Sequence, residues 1–188
     1  MIELIGIVTV VVLIIIAGIV VLMFNSLVAL QKRCENAWAQ IDVQLKRRAD
    51  LIPNLIETVK GYAKFEKKVL TAVTEARTAI MKAQTPKDSA KADNMLAGAL
   101  KSIFAVAEAY PSLKANENFK ALQEEFSTTE NKIAYARQFY NDIIMRFNTK
   151  IAQIPTNIIA GLFGFKEKEF FEANDEERKV VKANFDDL

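Results

Sequence analysis

Two groups of polar residues have the types and spacing to do chemistry. Arg47, Asp50 and Asn54 recur at helical intervals in one stretch, and Glu130, Asn131, Arg137, Tyr140 and Asn141 in another. Glu130 and Arg137 are seven residues apart, as are Asn141 and Asn148, so each pair shares a helix face. Facing one another, the two groups could form a polar pocket for a small ligand or a peptide. The same residues could instead form a satisfied hydrogen-bond network that sets helix register, as polar residues at core positions do. The second reading carries more weight.

Catalytic alternatives find little support. The chain contains no histidine. That removes the commonest general base, the commonest metal ligand and every Ser-His or Cys-His pair. A single cysteine without histidine supplies no zinc ligand set. Glu124-Glu125 and Glu176-Glu177 are adjacent pairs, and adjacent residues on a helix diverge by roughly 100° instead of converging on one substrate bond. A di-iron bundle needs Glu-x-x-His pairs. No glycine-rich phosphate loop and no G-x-S-x-G elbow is present. The expectation is a protein that is not an enzyme and has no cofactor and no metal. Cys34 sits on an apolar stripe between Leu30 and Trp38 and reads as a buried small residue, not a reactive thiol. Lys+Arg of 25 against Asp+Glu of 23 gives a net charge of +2, which is no nucleic-acid signature.

The elements that must position these residues are helices, and the first is set apart from the rest. Leu4 to Leu30 carry no charged side chain, and most of Leu4 to Phe24 is Ile, Val and Leu. About 20 such residues cross roughly 30 Å of hydrocarbon. Met1-Ile2-Glu3 lacks the basic start of a secretory signal, and no small-x-small site follows the run. An uncleaved transmembrane anchor is expected. Lys32, Arg33, Lys46, Arg47 and Arg48 follow it, while Glu3 precedes it. Positive charge stays in the cytoplasm, which predicts an N-terminus outside the cell (inner) membrane and residues 31–188 inside. Lys32 and Arg33 are the expected lipid-headgroup contacts. Lys46 to Arg48 lie some 30 Å beyond Phe24 if the helix continues, farther than a Debye length of about 8 Å.

Beyond the anchor the apolar spacing is helical throughout. Leu27, Leu30, Cys34, Trp38, Ile41 and Leu45 recur every three or four residues, and no Gly or Pro breaks Asn25 to Trp38. Pro53 either ends one helix and starts another or kinks a continuous one. Leu55, Val59, Tyr62, Leu70, Val73, Ala76 and Ile80 carry the stripe to about Ala83. Thr85-Pro86 then provides an N-cap and a first helical residue. That helix runs through Met95, Leu96, Leu100, Ile103 and Val106 and stops at Tyr110-Pro111-Ser112. Asn116 or Asn118 caps a last long helix reaching Gln153. Its stripe of Phe119, Leu122, Phe126, Thr129, Ile133, Ala136, Tyr140, Ile143, Phe147, Ile151 and Ile154 is heptad-like, as in a coiled coil.

The expected fold is all-α: an N-terminal transmembrane helix followed by an elongated antiparallel three- to four-helix bundle. The anchor takes 1–25, the bundle 26–155, an apolar C-terminal segment 156–171 and a polar tail 172–188. In the apolar segment, Ile158, Leu162, Phe163, Phe165, Phe170 and Phe171 form a candidate interface with the membrane or a neighbouring subunit, unless the segment folds back onto the bundle.

Several local patterns coincide: Ile41-Asp42-Val43-Gln44-Leu45-Lys46-Arg47-Arg48 with Asp50-Leu51-Ile52-Pro53-Asn54-Leu55; Tyr110-Pro111; Glu130-Asn131 with Ala136-Arg137 and Tyr140-Asn141; Pro155 with Asn157-Ile158; and Phe170-Phe171-Glu172. With these the whole chain resembles the LemA family of bacterial membrane proteins. The resemblance implies an anchored helical bundle and no established biochemical activity. Relatives are often encoded beside a membrane-embedded zinc metalloprotease, and one branch takes part in forming magnetosome membranes. The expected function is therefore a membrane-anchored cytoplasmic scaffold or adaptor that self-associates and organises membrane proteins. Its partners would be the bilayer, further copies of itself and, by resemblance, such a metalloprotease in quality control. The rival readings are a membrane-remodelling protein and a ligand- or peptide-binding module.

Overall fold

A computed structural model describes residues 1–61 and 67–171. The expectations for Tyr62 and for the polar tail 172–188 lie outside the described residues. Everything described is helical or irregular, and the fold is all-α. The order is α1 (Ile2–Asp50), α2 (Ile52–Lys60), α3 (Lys67–Lys82), α4 (Pro86–Ala107), α5 (Pro111–Ala115), α6 (Glu117–Ala152) and α7 (Thr156–Phe163).

Through its first 18 residues α1 is exposed on every side, although its side chains there are almost all aliphatic. Nothing among the described residues covers this stretch, and it is long and apolar enough to cross a membrane. The helix continues without a break past Asn25, as the absence of Gly and Pro predicts. From Leu27 onward one face is buried through Cys34, Ile41 and Leu45.

At Pro53 the chain restarts. α1 stops at Asp50 and α2 opens at Ile52, with Leu51 between them still in the right-handed region (φ −75°, ψ −19°). The Leu55 N–H reaches the Leu51 carbonyl at 3.1 Å, so the change of course is slight. Pro53 occupies the first turn of α2, where a missing N–H costs little.

Thr85 is extended (φ −114°, ψ 157°), and its Oγ1 accepts the Asp88 N–H at 3.1 Å, making the expected N-cap with Pro86 first in α4. Pro111 stops that run and also opens α5, a short helix the periodicity did not reveal. Asn116, not Asn118, caps α6: its Oδ1 accepts the Phe119 N–H at 3.1 Å. Along α6 the stripe is buried at Phe119, Phe126, Thr129, Ile133, Tyr140, Ile143, Phe147 and Ile151. Ile154 falls off it and is 84% exposed, because the helix ends two residues earlier at Ala152. Met95, expected on the α4 stripe, is also largely exposed, and the neighbouring Leu96 takes the buried position.

The described residues fall into two compact units. The first comprises Met1–Gln40 and Ala136–Glu169. In it α7 closes at Gly164, whose φ of +73° is the left-handed conformation glycine adopts without steric penalty. The Phe165 N–H then reaches back to the Ala160 carbonyl at 2.9 Å, as in a Schellman motif. Phe24 packs on Phe163 (ring centroids 4.7 Å apart) and on Phe165 (5.9 Å), and Trp38 packs on Tyr140 (5.7 Å).

The second unit comprises Ile41–Tyr135 and the residues from Phe170 on, of which Phe170 and Phe171 are described. Here α3 and α4 pack against each other across the short Ala83–Thr85 link. Phe104 meets Phe119 and Phe126 edge-on, and Ile52, Leu55, Leu96, Ile103 and Leu113 are fully enclosed.

Candidate functional site

In the second unit the polar centre is Arg48, which the sequence marked as part of the basic run Lys46 to Arg48 but not as a member of the polar network. Its side chain is 3% exposed and that of Asp93 is 2% exposed. Nη1 donates to Asp93 Oδ1 at 2.8 Å, and Nη2 forms an ion pair with Glu130 Oε2. One guanidinium thus ties α1, α4 and α6 together through charge-assisted hydrogen bonds. Its neighbour Arg47 points outward and pairs with Glu125 at 3.0 Å, with both side chains about half exposed. Such a pair contributes little.

A signal for Arg48 and Asp93 was present. Ile41, Leu45, Arg48 and Ile52 step by four, three and four. Ser89, Asp93, Leu96 and Leu100 do the same. A basic residue on one apolar stripe and an acidic residue on another are natural partners.

Asp50 and Asn54 are exposed, and the Asn54 backbone carbonyl accepts the Thr58 hydroxyl. Glu130 and Asn131 line a cleft of about 450 Å³ with Arg48, Lys101, Phe104 and Gln123. The Arg48 charge on its wall is already met by two carboxylates. Of the expected network, then, Glu130 is drawn to Arg48 and Arg47 to Glu125.

Arg137, Tyr140 and Asn141, the other members of that expected network, belong to the first unit. Arg137 and Asn141 are half-buried there. Tyr140 and Asn148 hold the chain that returns after α7. Asn148 Nδ2 donates to the Lys168 carbonyl, and its Oδ1 accepts the Lys168 N–H, both at 2.9 Å. Tyr140 Oη donates to the Glu169 carbonyl at 2.9 Å. These side chains stand in for a strand neighbour, satisfying backbone groups that have no helix or sheet partner. Burial, with smaller contributions from Cys34 and Glu169, pushes the Tyr140 hydroxyl up to about 12. Burial likewise raises the Cys34 thiol, the opposite of an activated nucleophile.

The apolar C-terminal segment divides between exposure and burial. Ile158, Leu162 and Phe163 are 60%, 75% and 56% exposed, and Phe170 is also exposed. Phe165 is half-buried against Phe24 and Phe147. Phe171, expected with the interface set, is instead buried and has no surface to present. Of the two expected headgroup contacts, Lys32 pairs with Glu35 at 2.8 Å and holds that carboxyl below its usual range. Arg33 is exposed and makes no ion pair among the described residues.

An N-terminal helix of membrane-crossing length, the one such helix among the described residues, joined to a helical body whose polar residues tie helices and backbone together, defines a membrane-associated all-α protein. The model of the LemA family matches residues 37–185, and the chain belongs to that family. It is 29% identical over 165 residues to protein LemA of Metamycoplasma hominis, spanning 85% of this chain and 74% of that one. It is 24% identical to magnetosome protein MamQ 2 of Paramagnetospirillum magneticum and 22% identical to magnetosome protein MamQ of Magnetospirillum gryphiswaldense. Each of these two matches covers 79% of this chain, which spans 64% of the relative's length.

Proposed function

We propose that this protein is a non-catalytic scaffold or adaptor, anchored by one helix, that self-associates and organises other membrane proteins. The observation that carries the reading is the tilted packing of the Phe163 ring against Phe24, centroids 4.7 Å apart. Phe24 ends the lipid-length run of α1, so α7 lies where the anchor leaves the bilayer. An apolar helix face exposed at that depth is seated in the membrane interface or against a neighbouring membrane helix. Anchoring raises local concentration, so weak lateral contacts through Ile158 and Leu162 suffice for assembly. The relatives named as magnetosome proteins support a role in membrane organisation. Flanking charge orients the body toward the cytoplasm. A membrane-embedded zinc metalloprotease is the partner class the family resemblance adds.

Extraction into nanodiscs, followed by mass measurement and identification of companions, tests this. Multiples of the chain mass with co-purifying membrane proteins are expected, and a lone monomer without companions overturns the reading. Orientation is tested with Ala115→Cys: labelling by a membrane-impermeant reagent in intact cells reverses the proposed topology.

The seat of α7 also favours a second reading, in which this short helix acts as a shallow wedge that bends the bilayer. Liposomes that keep their shape at high protein density count against it.

A further inference from the structure

We propose that the groove between α1 and α6 at the membrane end of the first unit binds the headgroup of an anionic phospholipid. This rests on the reading that α1 spans the bilayer. The groove encloses about 540 Å³, a volume suited to a small polar ligand. On one side are Ser26, Ala29, Leu30 and Arg33, a single face of α1. On the other are Met145, Arg146, Thr149 and Lys150, a single face of α6, with Gln153 just past its end.

Arg33, Arg146 and Lys150 bring three cations to one groove, and no acidic residue lines it. Among the described residues none of the three is in an ion pair, whereas Lys32, Lys46, Arg47, Arg48 and Lys114 each have an acidic partner. The nearest acid in sequence to Arg146, Asp142, stays outside the lining. The hydroxyls of Ser26 and Thr149 add donors, and Ala29, Leu30 and Met145 make an apolar wall.

Depth selects a lipid over a soluble phosphate. Ser26 and Leu30 lie two and six residues past Phe24, or about 3 and 9 Å along the helix. The headgroup layer is on the order of 5–7 Å thick on each side of the hydrocarbon. The groove therefore opens at the level of the phosphates. Long basic side chains such as Arg33 reach back toward that level. An apolar wall beside the cations suits the glycerol backbone and first methylenes of a lipid and offers nothing to a free anion.

The test uses the full chain in nanodiscs of phosphatidylcholine with a minor share of phosphatidylglycerol. Lipids retained after release into detergent are counted by native mass spectrometry. Phosphatidylglycerol is expected to be enriched over its bulk share, and Arg146→Gln with Lys150→Gln is expected to reduce that enrichment roughly tenfold. Lys120→Gln with Lys132→Gln, on the same helix but away from the groove, should leave it unchanged. Both pairs are checked for unaltered melting. Wild-type protein that retains lipids in the bulk ratio overturns the proposal, as does a groove variant that keeps the wild-type enrichment. Displacement by excess soluble glycerol phosphate assigns the site to a free anion and overturns the lipid. Failure of the chain to enter nanodiscs is a different result: it removes the anchoring reading and this inference with it.

Discussion

The Nε of Arg77 on α3 donates to the backbone carbonyl of Ala49, 3.2 Å away in the last turn of α1. Pro53 stands four residues after Ala49 and has no N–H to give that carbonyl. The helix break thus creates an acceptor, and a side chain from another helix takes it. Arg77→Ala should lower stability by about 1–2 kcal/mol. In a Pro53→Ala background the new N–H competes for the same carbonyl, so the loss should be smaller. Unfolding of the four variants in detergent gives the coupling, and strictly additive losses would disprove the link.

The Arg48–Asp93 pair makes a stronger demand. Both side chains are enclosed, so removing one leaves the other in a poor environment. Asp93→Ala should destabilise by about 3 kcal/mol. Arg48→Met combined with Asp93→Leu should cost less than either single change, because no charge is left stranded between these two positions. Denaturation midpoints decide this, and a double variant worse than both singles would contradict it.

Asn148 makes two hydrogen bonds to one backbone residue, Lys168. Asn148→Ala should free the returning segment locally, at a cost of about 2 kcal/mol. Amide exchange at Lys168 should quicken while amides in the α3–α4 pair keep their protection. Asn148→Asp keeps an acceptor for the Lys168 N–H but loses the donor, so its exchange should be intermediate. Unchanged exchange in Asn148→Ala would remove the clamp from the account.

Tyr140 makes stability fall at high pH. Its folded value of about 12 lies above the ordinary tyrosine value of 10, so the folded chain holds its proton more tightly than the unfolded one. The resulting stabilisation is complete below pH 10 and is lost as pH rises through 10 toward 12. Tyr140→Phe removes that share of the alkaline decline, along with about 1 kcal/mol from the bond to the Glu169 carbonyl. Melting temperatures from pH 8 to 11 should show a shallower slope in the variant; parallel slopes would refute the assignment.

Much of this architecture could be read in the amino-acid order alone, because the information is local. A run of aliphatic residues with no charge makes the start of α1 long and apolar enough to cross a membrane. Thr85 three residues before Asp88, and Asn116 three before Phe119, place two helix starts through hydrogen bonds that span a single turn. The three-and-four spacing of Leu27, Cys34, Ile41 and Leu45 identifies the face that is buried. The missing histidines remove whole classes of chemistry before any folding is considered.

Periodicity names a face but not the neighbour that covers it. The spacing puts Arg48, not Arg47, on the buried stripe, but only the tertiary structure decided that α4 and α6 are what enclose it. Only the fold paired Asp93 with Arg48, 45 residues away in the chain. It also drew Tyr140 out of the expected polar network and set it, with Asn148, to holding the backbone of Lys168 and Glu169. That segment has no partner of its own in sequence. Its polar groups had to be satisfied by whichever side chains the turn at Gly164 brought within reach.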